Sequence, residues 1–277
     1  MKLSDDYNEN VFINCPLDSD YKPLFKAILF TVFDCGFIAR CALEEGDASQ
    51  IRLEKIYALI TDCRYGIHDI SRTELDCDTN LPRFNMPFEL GLFLSAKKFG
   101  AIHQRKKQCL ITDKEKYRYR EFISDISGQD VETHDYDARK IVEVVRNWLR
   151  IASRRTTIPG ASAIWDDYQI FRNDLPEMCS ELRLDVDSLI YNDYVQLVTA
   201  WLKAREEKLL YSPRLDTPPT ELVDTDLLAI VEVTSRSKAA AQKRLDEDTK
   251  RVGYVRGETY QLEDSSWGIH WGGKYPL

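Results

Sequence analysis

Two carboxylates carry the first functional reading of the chain. Asp69 ends the apolar run Tyr65-Gly66-Ile67-His68-Asp69-Ile70, and Glu89 opens a helical pattern that starts at Pro87. In a parallel sheet, a strand-tip carboxylate and one on the first turn of the next helix project into the same crevice. The positive end of the helix dipole favours the second of them. Such a pair suits chemistry at a sugar carbon: one group holds or attacks an oxocarbenium-like centre while the other handles a proton. Both residues also have a plain structural use, Asp69 as a turn cap and Glu89 as a match for the helix terminus.

Nucleotide-holding candidates surround the pair. Asn14, Cys15 and Pro16 close the first apolar run, Arg40 closes the second, and Arg72, Arg83 and Asn85 lie in the loop before Glu89. An arginine fork meets phosphate well, and main-chain amides after Cys15 and Asn85 suit phosphate where helices begin. His68 alternates with Asp69 along the strand and so faces the other way, as a buried histidine.

These residues need elements to position them. Val11–Cys15, Phe37–Leu43, Tyr65–Ile70, Gln108–Thr112 and Val131–His134 read as strands. Helical patterns separate them. One runs from Tyr21 to Asp34, with Asp20 as its cap, Pro23 in its first turn and Gly36 ending it; others cover Ile51–Cys63, Pro87–Gly100 and Ile141–Leu149. This alternation predicts an α/β domain with a parallel sheet and helices on both faces. Ligands of such sheets bind beyond the carboxyl ends of the strands, which selects the loops after Cys15, Leu43 and Asp69 and the helix start at Pro87.

Residues 1–153 form this domain in the sequence reading. Residues 154–159 read as a linker, 160–208 as a helical region, and 220–277 as a small C-terminal α/β element of unknown role, after a proline-rich stretch. In that element Leu227–Val233 reads as a strand and Lys238–Lys250 as a charged helix, and Trp267–Leu277 shows no pattern. Interleaved Tyr117, Arg118, Tyr119 and Arg120 suggest a lid or an oligomer contact, with Asp125 and Asp130 as weaker site candidates.

Composition narrows the classes. The 277 residues are 43% hydrophobic and 30% charged with net charge −8, which argues against gripping duplex nucleic acid. No apolar run is long enough to span a bilayer and the first residues are polar, so a cytoplasmic protein without membrane partners is expected. The 7 cysteines form no CxxC pair and the 4 histidines lack zinc spacing. Buried thiols and no metal are therefore expected.

Several strings resemble a known superfamily. Phe88-Glu89-Leu90-Gly91-Leu92-Phe93-Leu94-Ser95-Ala96 resembles the helix bearing the catalytic glutamate of nucleoside 2-deoxyribosyltransferases. Val11-Phe12-Ile13-Asn14-Cys15-Pro16 is similar to the first strand of that group and of TIR domains, and His68-Asp69-Ile70-Ser71 to its third-strand acidic position. CALEEGD, CRYGIHDISR, LPRFNMPFELG and FISDISGQD look like a defence-associated group of bacterial TIR-like proteins. The resemblance spans roughly residues 10 to 150 and implies a flavodoxin-like fold. It also implies a glutamate, Glu89, acting beside an N-glycosidic bond, with Asp69 orienting ribose or base. NAD is the implied substrate rather than a resident cofactor, in antiphage defence, and homo-oligomeric assembly is implied too. The turn Arg83-Phe84-Asn85-Met86-Pro87 lacks the Asp-Ser-Gly-Thr type sequence of the transferases, so bond cleavage is expected over deoxyribosyl transfer. A non-catalytic nucleotide-sensing module is the alternative.

Asp226, Glu232, Lys238 and Lys243 faintly resemble part of a PD-(D/E)xK nuclease core, which needs paired carboxylates on a metal. No lysine stands two residues after Glu232, and the segment is too short for that fold. An interaction or oligomerisation element is expected there instead.

Overall fold

The structure is a computed structural model and describes residues 6–44, 46–75, 80–211, 256–261 and 267–272. Five strands build the central sheet: β1 (Asn10–Asn14), β2 (Ile38–Arg40), β3 (Tyr65–Asp69), β4 (Gln108–Asp113) and β5 (Val131–Thr133). They pair in the order β2-β1-β3-β4-β5, all parallel. This is the flavodoxin-like order, and its direction reverses between β1 and β3. Every residue of β1 and β3 is buried, as expected for parallel strands covered on both faces.

The helices are α1 (Lys22–Asp34), α2 (Arg52–Asp62), α3 (Asn85–Phe99), α4 (Ala138–Ser153), α5 (Ala161–Glu181) and α6 (Tyr191–Tyr211). Helix α1 packs against α4 and α5, and α2 packs against α3. Helix α1 is apolar nearly all round because it lies between the sheet and α5. Phe30 meets Phe171 at 5.3 Å between ring centroids and Tyr168 at the same distance. Fully burying a side chain of this size contributes about 1.5–3 kcal/mol. Gly36, at φ +76°, ends the turn after α1 in the left-handed region open to glycine.

Two termini differ from expectation. The backbone N–H of Tyr21, at the start of α1, is capped by Asp18 Oδ1 at 3.1 Å, whereas Asp20 turns to Arg72. Helix α3 begins at Asn85, two residues before Pro87. Proline fits there because its missing N–H falls within the first turn. Glu89 therefore lies two residues deeper than expected, beyond the first turn where dipole effects are strong.

Residues 154–159 are anchored. Arg155 donates to the Gly36 carbonyl at 2.7 Å, Arg146 to the Pro159 carbonyl at 2.5 Å, and Ile158 is buried. The first compact unit runs to Ala200. A second unit, from Trp201, contains an antiparallel hairpin of β6 (Arg256–Gln261) and β7 (Trp267–Gly272). Strand β7 occupies residues that showed no pattern in the sequence, and β6 lies in a stretch to which no element was assigned. The expected strand at 227–233, the helix at 238–250 and the nuclease-like residues Asp226, Glu232, Lys238 and Lys243 lie outside the described residues.

Candidate functional site

A cleft of about 120 Å³ opens at the carboxyl ends of β1 and β3, where the strand order reverses. Asn14, Cys15 and Pro16 form its floor at the end of β1. Asn85, Met86 and Glu89 of α3 form one wall, and Arg52, Arg72 and Arg83 stand around it. Six of the seven residues expected to bind nucleotide, together with Glu89, thus share one cavity.

Two acids line this cleft: Asp18 is held by Arg72, and Glu89 is the unpaired one. Only 9% of its surface is exposed, and no hydrogen bond or ion pair engages its carboxyl among the described residues. Burial pushes its pKa up from 4.5 to about 7, and the positive charge of Arg52 pulls the other way. A carboxyl in that range can hold or release a proton near neutral pH.

Asp69, expected beside it, does not line the cleft. It is wholly buried. It accepts hydrogen bonds from the Ser71 amide at 3.0 Å, the Ser71 hydroxyl at 2.5 Å and the Thr112 hydroxyl at 2.6 Å, and His134 Nε2 lies 2.9 Å away. Burial raises its pKa, but His134 and the two hydroxyls outweigh that and hold the carboxylate below its usual range. Asp69 ties the ends of β3 and β4 to the segment after β5, and the two-carboxylate arrangement is not formed. The turn-capping use is the one it takes.

Arg40 also stands outside the cleft. Its guanidinium closes on Glu44 through two nitrogens at 2.5–3.0 Å, an i,i+4 pair at the end of β2. Arg72 does line the cleft, but Asp18 accepts from it at 2.7 and 3.1 Å and Asp20 at 2.9 Å. With two carboxylates already engaged, Arg72 shapes the wall more than it offers charge. Arg52, at the start of α2, was not foreseen. It forms no ion pair among the described residues, and its signal was a basic residue opening a helix, where the dipole disfavours one.

Asn14 and His68 hold the floor. Asn14 Nδ2 donates to the Met86 carbonyl at 2.9 Å and contacts His68 Nδ1 at 3.0 Å. With both hydrogens committed, the side-chain oxygen of Asn14, which lines the cleft, is left to act only as an acceptor. His68 is wholly buried, and burial with nearby Lys107 drives its pKa down to about 3, so it is neutral. Its Nδ1 accepts from Asn14, which places the ring proton on Nε2.

Cys15 is no nucleophile. Burial first, then Asp69, Cys41 and Glu89, push its thiol well above the usual value, and an un-ionised thiol reacts poorly. The six described cysteines are all free. Among the described residues, no group of three His, Cys, Asp or Glu side chains is placed to share a metal ion, and no helix is long and apolar enough to cross a membrane.

Comparisons with protein-family models, with curated proteins and with solved structures found no match.

Proposed function

We propose that this protein cleaves the N-glycosidic bond of a nucleotide, with NAD as the favoured substrate. The observation that carries the reading is Glu89: an unpaired carboxyl, its pKa raised by burial, in a cleft at the switch point of the sheet, among arginines. Resemblance to TIR-like and deoxyribosyltransferase-like enzymes points to the same residue.

A single unpaired acid narrows the chemistry, since Asp18 is taken by Arg72. Most N-glycosidic bonds need the leaving base to be protonated as the bond breaks. The nicotinamide of NAD already carries a positive charge. When its bond to the ribose C1′ breaks, the electron pair goes to the ring nitrogen and nicotinamide leaves neutral, without a proton donor. Glu89, as the carboxylate, then stabilises the ribosyl oxocarbenium. It takes the proton of the water that adds to C1′, giving ADP-ribose, nicotinamide and one proton. Withdrawal of Asp69 from the cleft is compatible with a substrate of this kind.

The enclosed space is below the 300–1,000 Å³ usual for ligand pockets. The ribose beside Glu89 would occupy it, and the phosphates would lie toward the exposed Arg52 and the first turn of α3, whose cap residue Phe84 supplies no side-chain bond. The Asn14 oxygen would accept from a ribose hydroxyl. The free thiols accord with the cytoplasm.

Incubation of the wild type and Glu89→Ala with NAD and a panel of nucleosides, followed by chromatography of released base, tests this reading. Nicotinamide released by the wild type alone is expected. Tight binding with every nucleotide returned intact, at high protein concentration, would replace catalysis by nucleotide sensing.

A further inference from the structure

A second cavity, of about 230 Å³, lies on the other side of Leu17 from the cleft, and Leu17 lines both. The start of α1 and the start of α6 enclose it. Its body is apolar and partly aromatic. The rings of Phe25 and Tyr191 face each other at 6.4 Å with 27° between their planes, Tyr194 stands beside them, and Leu29 closes the inner end.

Two lysines, one turn apart on α1, join this apolar wall. Lys22 Nζ donates to the Asp187 carbonyl at 3.0 Å, and Lys26 Nζ sits 5.2 Å from the centre of the Tyr194 ring. Neither has a carboxylate partner within ion-pair distance among the described residues. Burial, then the charge of Lys22, lowers the pKa of Lys26. In a chain of net charge −8, two adjacent cations line this cavity with no carboxylate in ion-pair contact, Asp187 being a more distant opposing charge on Lys26, and they favour an anion there. Three aromatic side chains specify what the anion is attached to.

The cavity is also wired to the cleft. Tyr191 Oη donates to the Ala39 carbonyl of β2 at 2.6 Å, and Asn192 reaches the Glu44 carbonyl at 3.4 Å. The segment between these two points carries Cys41 and Ala42 on the cleft side and Leu43 on the cavity side.

We propose that this cavity is an effector site for a small aromatic anion, a ring bearing one carboxylate or phosphate. Its occupancy would act on the cleft through Leu17 and residues 41–43. Binding at this site does not depend on the glycosidase reading.

The test is an amide NMR titration of the full chain with AMP and with indole-3-acetate, beside their neutral analogues adenosine and tryptophol. Saturating shifts are expected at Leu29, Tyr191 and Tyr194 and at Leu17 and Ala42, with neutral analogues binding at least about tenfold more weakly. Shifts from AMP alone identify a phosphate ligand, and from indole-3-acetate alone a carboxylate ligand. The Lys22→Gln/Lys26→Gln double variant loses the response, Ile190→Trp at the exposed rim weakens it, and Glu89→Gln keeps it. Three results would overturn the proposal: no saturation by either anion at millimolar concentration, binding undiminished in the double-lysine variant, or shifts confined to the cleft. Binding that survives in Glu89→Gln while turnover fails separates this site from the catalytic one.

Discussion

Asn14 and His68 meet at 3.0 Å where β1 and β3 part, and the same Asn14 nitrogen reaches the Met86 carbonyl at 2.9 Å. One side chain therefore joins both central strands to the helix that bears Glu89. Asn14→Leu keeps the bulk and removes both donors, leaving two buried acceptors unpaired. A loss of about 2–4 kcal/mol is expected, read from urea unfolding, and nucleotide binding should weaken with it.

Neutral His68 makes the fold acid-sensitive. Its folded pKa is depressed to about 3 from 6.5, so its contribution is present above 6.5 and is lost as pH falls toward 3. Unfolding curves at pH 6.5 and pH 5 should show the wild type losing about 2 kcal/mol relative to His68→Gln. Parallel behaviour of the two proteins would mean that His68 is not held neutral.

Glu89 has the opposite sign. Its folded value is raised to about 7 from 4.5, so the preference for the protonated form stabilises the fold fully below pH 4.5 and is lost as pH rises through 7. Glu89→Gln should match the wild type at the acid end and exceed its stability by up to about 3 kcal/mol at pH 8. It should also abolish base release. A variant that is more stable and inactive would show that the cleft carries a cost in stability for its chemistry.

Arg52 tunes that carboxyl. Arg52→Gln removes the one charge that opposes the rise, so the acid limb of the pH–rate profile should move to higher pH and activity at neutral pH should fall. Arg52 is exposed, so the midpoint of thermal unfolding should stay unchanged.

Gly66 sets how closely α3 approaches β3. A β-carbon there would stand 2.8 Å from the Phe93 ring and 2.7 Å from His68 Nε2. Phe93 lies one turn beyond Glu89 on the same helix. Gly66→Ala should cost about 1–3 kcal/mol by overpacking and reduce kcat through displacement of Glu89. Unchanged stability and rate would show that the ring yields freely.

The sheet was legible because its strands are short apolar runs and its helices have strong periodicity. Val11–Cys15 and Gln108–Thr112 match β1 and β4 to within a residue, and Glu89 could be singled out in sequence by the helical pattern that follows Pro87. The turn-capping use of Asp69 stood in the sequence beside the catalytic one, but the network that decides between them was not legible. The hydrogen-bonding partners of Asp69, Ser71 and Thr112, and His134 beside it, come from three different segments, and only folding brings them together. Arg40 was misread for a local reason: Glu44, one turn along, takes its charge. The hairpin of β6 and β7 went unread because glycine and polar residues break the alternation that marks a strand.

The packing of α5 on α1 has a practical side. A fragment ending at Ser153 would leave Phe30 and its neighbours on α1 open to water, without Tyr168 and Phe171. Such a fragment would be sticky and prone to aggregate, and an absence of activity in it would say nothing about the cleft. A protease should spare the connection at 154–159, which Arg146 and Arg155 hold down. The shortest piece worth expressing alone extends to about Ala200, where the first compact unit ends.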